Sequence, residues 1–241
     1  MSIVRHGQSA GNVASELAER RGHAMVDIAV RDMDVPLSEL GERQAAALGR
    51  WLSEQSPDEL PTVMLTSPYV RTMETGRLLL GAAGLPDIPV VIDERLRERE
   101  YGILDRFTMH GVNHRFPEQA ELRARLGKFY HRPPGGESWC DVLLRLRSVM
   151  QTIRRDFADE RVLIVTHRVV VYMFRYLLEN MTEQEIMAID REHDVANCSL
   201  TTYSFPPDGV PVLDRFNFVV PIEESGTPVT SDKDRPIAAR G

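Results

Sequence analysis

Arg5, His6 and Gly7 end the apolar run Ser2-Ile3-Val4 almost at the start of the chain, and Asn12 follows seven residues after Arg5. A strand that stops at a guanidinium, an imidazole and a glycine delivers backbone N–H groups and two nitrogenous side chains to the crevice where open α/β sheets bind ligands. Phosphate is the natural guest for such a set. An imidazole of unperturbed pKa near ~6.5 is largely neutral at neutral pH, so its ring nitrogen can attack without a dedicated base. One tripeptide is a weak signal, because a lone His is usually packed or solvated.

A second apolar, β-branched run, Arg161-Val162-Leu163-Ile164-Val165-Thr166-His167, also ends in His and is followed by a long apolar helix pattern. Between the two lies Thr62-Val63-Met64-Leu65-Thr66-Ser67-Pro68, a third buried-strand pattern, followed by Tyr69 to Thr75, which reads as the opening of a helix. Arg71 then falls in a first helical turn, where free N–H groups and the dipole favour an anion.

Together these stretches resemble the histidine phosphatase superfamily, the group that includes cofactor-dependent phosphoglycerate mutases. The resemblance rests on Arg5-His6-Gly7-Gln8-Ser9-Ala10-Gly11-Asn12, Asp34-Val35-Pro36-Leu37-Ser38 with Gly41 and Gln44-Ala45, Ser67-Pro68 with Arg71, Leu96-Arg97-Glu98 with Tyr101-Gly102, Gly135-Gly136-Glu137-Ser138, and Val165-Thr166-His167. They occur in the family's order over most of residues 1 to 170. What the resemblance implies is a phosphohistidine mechanism: His6 attacks phosphorus, Arg5, Arg71 and His167 hold the phosphoryl oxygens, Asn12 adds a neutral donor, and Glu98 shuttles the proton. By spacing alone Glu98 and Glu100 are equally eligible; the family pattern favours Glu98.

Two departures from that pattern stand out. Where the family commonly has a small glycine after the second histidine, this chain has Arg168, which either turns away or enters the site as a further phosphate-binding cation for a second anionic group. Few residues precede Arg5, so weak edge pairing of the first strand is expected, and the true start codon stays open.

Alternation of strand and helix patterns predicts a doubly wound α/β fold: a three-layer α/β/α sandwich with a mostly parallel central sheet. Ser38 is the expected N-cap of a helix running to Leu52, Trp139 to Phe157 reads as another amphipathic helix, and Pro89 to Ile92 as a short strand. Leu200 to Phe205 and Val212 to Val219 are expected to form an edge hairpin around a Pro-Pro-Asp-Gly turn. Ser9 to Arg31 reads as mixed. The family resemblance implies that residues 102–134 form a helical lid over the pocket. The expected organisation is one catalytic domain over 1–220 and a disordered tail over 221–241, rich in Pro, Gly, Ser, Thr and charge.

The net charge of -7 argues against a general nucleic-acid binder. Cys140 and Cys198 lack metal-ligand or redox spacing and are expected to be free thiols. His110 and His114 are four apart, but Gly111 and Asn113 weaken that helix and no third ligand is evident, so no metal site is expected. Glu137 divides evenly between helix-start and substrate-side roles, and His193, Asn197 and Cys198 either approach the pocket from the loop before a late strand or, the favoured reading, form a solvated loop. No apolar stretch approaches the ~20 residues that cross a bilayer and no secretory signal is evident, which predicts a cytoplasmic protein without membrane contact. The expected partner is a small phosphorylated metabolite, with no added cofactor; a homodimer is left open. The expected activity is phosphomonoester hydrolysis, the alternatives being mutase-type phosphotransfer and a non-catalytic phosphate-binding or scaffold protein.

Overall fold

The chain alternates strand and helix in the order β1 (Ser2–Arg5), α1 (Ala10–Arg21), α2 (Glu39–Ser53), β2 (Val63–Thr66), α3 (Val70–Ala82), β3 (Val90–Ile92), α4 (Met109–Arg115), α5 (Pro117–Tyr130), α6 (Trp139–Asp156), β4 (Val162–Thr166), α7 (Arg168–Leu178), α8 (Glu183–Glu192), β5 (Leu200–Ser204), β6 (Val212–Phe218) and α9 (Val220–Glu224). The structure is a computed structural model and describes residues 1–206 and 209–231. Six strands form one sheet in the order β3-β2-β4-β1-β5-β6. The first four are parallel, and β5 and β6 run antiparallel at one edge.

Every residue of β2 and β4 is buried, as expected for parallel strands covered on both faces. Successive side chains point to opposite layers. Ile3, Leu65 and Ile164 pack with Trp139, Leu146, Tyr172, Phe174 and Ile186 from α6, α7 and α8. Val4, Met64 and Val165 pack with Ala45, Leu48, Leu79 and Ile222 from α2, α3 and α9. The result is the expected α/β/α sandwich.

Register places the chemistry. Arg5 pairs with Thr166, and Thr66 with Val165, so His6, Ser67 and His167 leave adjacent strand ends side by side. Gly41 lets α2 approach the loop after His6: a Cβ there would lie 2.0 Å from the Gln8 carbonyl oxygen. Ser38 caps α2, its Oγ accepting from the Gly41 N–H at 3.1 Å. Residues 102–134 contain a 3-10 turn at Gly102–Leu104, then α4 and α5, which kinks at Gly127 with φ of 79°.

Three expectations change. Within the stretch read as mixed, α1 forms, closed by a Ser9–Asn12 capping box; Ala18 is its one buried residue, so the helix carries little of the apolar periodicity that would have revealed it. β1 is no edge strand, since it pairs with β4 on one side and β5 on the other. The segment expected to be disordered from residue 221 is structured through Ser231: Pro221 and Ile222 of α9 are buried, and Gln44 Nε2 donates to the Pro228 carbonyl at 2.9 Å. Composition counts apolar area and overlooks such polar anchors. Residues 232–241, and Pro207 and Asp208 of the hairpin turn, lie outside the described residues.

Candidate active site

The strand ends open into a cavity of about 360 Å³ whose walls include Arg5, His6, Asn12, Arg71, Glu98 and Arg168. His6 is buried, and its Nδ1 lies 2.7 Å from the Gly7 carbonyl oxygen. A carbonyl only accepts, so Nδ1 carries the proton and Nε2 keeps its lone pair for attack. Burial and the Arg71 and Arg5 charges hold the His6 pKa well below its ordinary value; the ring is therefore neutral and nucleophilic at neutral pH.

His167 sits 5.2 Å from His6, ring centroid to centroid. Its Nε2 is 2.9 Å from Ser67 Oγ. Ser67 Oγ also accepts from the Tyr69 N–H at 3.3 Å; the hydroxyl keeps its proton and a second lone pair for the imidazole, and when it donates to Nε2 the His167 proton resides on Nδ1. That Nδ1 is buried and has no hydrogen-bond partner among the described residues. A buried donor without an acceptor is costly, and a phosphoryl oxygen would satisfy it. Burial, Arg71 and His6 keep this imidazole uncharged as well.

Arg5 and Arg71 are both buried. Arg5 Nη1 donates to the Val195 carbonyl at 2.5 Å. Arg71, in the first turn of α3, donates from Nη1 to the Asp32 carbonyl at 2.5 Å and from Nη2 to Asp32 Oδ2 at 3.1 Å. Asn12 spends its side-chain oxygen on the Ser9 N–H at 2.8 Å. That bond orients its amide at the cavity wall.

Placement separates the two carboxylates. Glu98 lines the cavity, whereas Glu100 is exposed and accepts from the Tyr69 hydroxyl at 3.2 Å. Burial raises the Glu98 pKa against the pull of the Arg99 N–H, Arg71 and Arg5. A carboxyl whose pKa is shifted in this direction suits a general acid.

Arg168 does not fit the expected role of phosphate ligand. Its Nε donates to Asp194 Oδ1 at 2.7 Å and its Nη2 to Asp190 Oδ1 at 3.0 Å. Two carboxylates thus already balance its charge, and Lys128 of α5 joins the network through Asp190 Oδ2 at 2.6 Å. Arg168 ties the start of α7 to α8 and the lid instead.

For Asn197 and Cys198 the less favoured of the two readings holds. Asn197 is fully buried, not part of a solvated loop: its Nδ2 donates to the His6 carbonyl at 3.1 Å, and Thr230 Oγ1 donates to its Oδ1 at 2.9 Å. Cys198 is buried beside it, its N–H donating to the Arg5 carbonyl at 3.0 Å, while His193 is exposed. The available signal was position, since the loop before a strand paired with β1 must end beside His6. On the lid side, Arg99, Arg123 and His131 also line the cavity. Burial and those two guanidiniums push the His131 pKa down to about 4, leaving the imidazole neutral. Among the described residues no group of three or more His, Cys, Asp or Glu is placed to hold a metal.

Glu137 is neither a helix cap nor a substrate ligand. Its carboxylate accepts from Arg97 Nη2 at 2.6 Å, Arg145 Nε at 3.1 Å and the Glu100 N–H at 3.1 Å. Arg145 in turn donates to the Glu98 carbonyl at 3.3 Å. Glu137 is thus a positioning residue for the turn that carries Glu98. Glu137→Ala should lower kcat on alkyl phosphates about tenfold with little change in KM, and lower stability by about 2–4 kcal/mol in urea unfolding. An unchanged kcat would remove the positioning role.

A hollow lined by Arg5 and Arg71 and flanked by two neutral imidazoles, at the carboxyl ends of parallel strands, defines a phosphoryl-handling α/β protein. The chain belongs to the histidine phosphatase superfamily, branch 1, whose sequence profile matches residues 1–218. It is 31% identical over 196 residues to a 2,3-bisphosphoglycerate-dependent phosphoglycerate mutase of Gloeobacter violaceus, covering 80% of this chain and 81% of that protein. It is also 31% identical over 170 residues to a 6-phosphofructo-2-kinase/fructose-2,6-bisphosphatase of Caenorhabditis elegans, covering 70% of this chain and 32% of that one. Among solved structures, a mycobacterial glucosyl-3-phosphoglycerate phosphatase in complex with VO3 superposes with a TM-score of 0.69 at 27% identity, over 90% of this chain and 98% of its own. YhfR of Bacillus stearothermophilus gives 0.71 at 26% identity, over 92% and 98%. The first three of these relatives are named as a mutase, a kinase/bisphosphatase and a phosphatase, all enzymes of phosphoryl transfer. Among the described residues no helix is long and apolar enough to cross a membrane.

Proposed function

We propose that this chain is a phosphomonoester hydrolase acting on a small phosphorylated metabolite through a phosphohistidine on His6. The observation that carries this reading is the His6 Nδ1 contact with the Gly7 carbonyl, which leaves Nε2 unprotonated at the cavity. Nε2 attacks phosphorus, forming a P–N bond as the ester P–O bond breaks, and Glu98 gives its proton to the departing alkoxide. Arg5, Arg71, His167 and Asn12 hold the equatorial oxygens, where fixed donors stabilise spreading charge without reorganising. Water then attacks the phosphohistidine, Glu98 takes its proton, and inorganic phosphate leaves.

What supports hydrolysis as the first reading is its smaller demand, since a phosphatase needs only to admit water to the phosphohistidine. A mutase must hold a bisphosphorylated intermediate and exclude water. The mutase reading is kept as the alternative because curated relatives at this identity are mutases. The deciding experiment assays phosphorylated sugars, glycerates and nucleotides with and without 2,3-bisphosphoglycerate. Hydrolysis without the bisphosphate is expected; turnover only in its presence would establish the mutase, and no turnover of any ester would leave a phosphate-binding protein.

A further inference from the structure

We propose that Asp32 is a built-in competitor for the phosphate site, occupying the Arg71 fork until a phosphoryl group displaces it, and that this exchange reports occupancy of the site to the lid. The inference rests on the phosphate-binding role of Arg71 stated above. Arg71 is buried, and both of its terminal nitrogens donate to one residue, to the main-chain oxygen and the carboxylate of Asp32. Asp32 itself is exposed to solvent over about half of its side chain, 49%. It begins a 3-10 turn, Asp32–Asp34, and its neighbour Asp34 pairs with Arg31 at the surface instead, at 2.6 Å.

Asp32 presents two oxygens to a guanidinium fork, as a phosphoryl group would. Burial is the main cause that raises the Glu98 and Asp105 pKa values, and the Asp32 charge adds to it at both carboxyls. An incoming dianion meets that negative charge first, so bound phosphate and the Asp32–Arg71 pair exclude one another. The half-exposed carboxylate can move into water at small cost, whereas the buried guanidinium cannot.

The segment that carries Asp32 is stitched to the lid. The Val26 N–H donates to the Arg106 carbonyl at 2.8 Å, and Arg106 returns Nη1 to the Ile28 carbonyl and Nη2 to the Val30 carbonyl, each at 2.9 Å. The Thr108 N–H donates to the Ala24 carbonyl at 3.1 Å, and a Cβ on Gly111 would lie only 1.9 Å from that same oxygen. Residues 24–32 and the lid therefore shift as one body. Phe107, Met109 and Val112 of that lid line the cavity, so releasing Asp32 loosens the wall against which the alcohol half of the substrate rests.

The test is the affinity for inorganic phosphate, measured by calorimetry on the full chain and its variants. Asp32→Asn is expected to tighten phosphate binding about tenfold, the scale of removing one charge beside a dianion in a partly hydrated site. Asp34→Asn on the same turn should leave it unchanged, and Asp32→Ser guards against a folding artefact of one substitution. Hydrogen exchange of residues 24–32 and 104–112 should accelerate severalfold when wild-type protein binds phosphate, and be fast in Asp32→Asn with or without it. Equal phosphate affinity in wild type and Asp32→Asn overturns the competitor, and phosphate-insensitive exchange overturns the coupling. A wild-type chain that binds no phosphate overturns the phosphate site and this inference with it, so the two failures are distinct.

Discussion

His6→Ala is expected to lower kcat on p-nitrophenyl phosphate by at least about 10⁴-fold and to abolish the acid-labile phosphoenzyme trapped with labelled substrate. The P–N bond has no other origin in the proposed cycle. His167 is near enough, at 5.2 Å between ring centroids, to be the rival nucleophile, and the two roles separate cleanly. His167→Ala removes an oxygen-binding donor, so it should cost about 10²–10³-fold in kcat while the adduct survives. An adduct that persists in His6→Ala and vanishes in His167→Ala would exchange the assignments. The pH profile adds an independent check. Because burial and two guanidiniums hold His6 well below its ordinary pKa, lowering pH from 7.5 to 6 leaves the nucleophile unprotonated. A loss of kcat/KM titrating near the unperturbed imidazole value of ~6.5 would contradict that environment.

Glu98→Gln separates the proton from the phosphoryl group. On alkyl phosphates, whose alkoxide needs protonation as it leaves, kcat should fall about 10²–10⁴-fold. On p-nitrophenyl phosphate, whose leaving group departs as a stable anion, first-step loss should be far smaller. The sign of the pH effect follows from burial: the Glu98 pKa is raised, so its protonated form persists above the usual carboxylate range and is lost as pH rises through the raised value. Wild-type turnover of alkyl esters should decline along that limb, and the limb should vanish in the glutamine variant. Equal losses on both substrate types would remove Glu98 from the acid role and return attention to its neighbours on the same turn.

Much of the scaffold could be read from the chain. Runs such as Val162–Thr166 are apolar and β-branched throughout, a pattern that requires cover on both faces, and the expected parallel strands follow. Ser38 and the edge pair β5 and β6 were equally readable, because a cap and a hairpin depend on neighbours close in sequence. α1 was not, since a helix that buries only Ala18 has almost no apolar stripe to display.

Residue types and strand ends determined the chemistry available: two imidazoles and two guanidiniums delivered to one side of a parallel sheet, with a carboxyl group following β3. These are local features, set by hydrophobic runs and by what terminates them. Tertiary structure alone decided among groups of equal chemical eligibility. It turned Glu98 to the cavity and Glu100 to solvent, bound Arg168 to Asp190 and Asp194, buried Asn197 against His6, and set Asp32 on Arg71. Each of those outcomes depends on contacts between segments far apart in the chain, where small rotations of a turn exchange one charged partner for another, and no spacing rule records which partner wins.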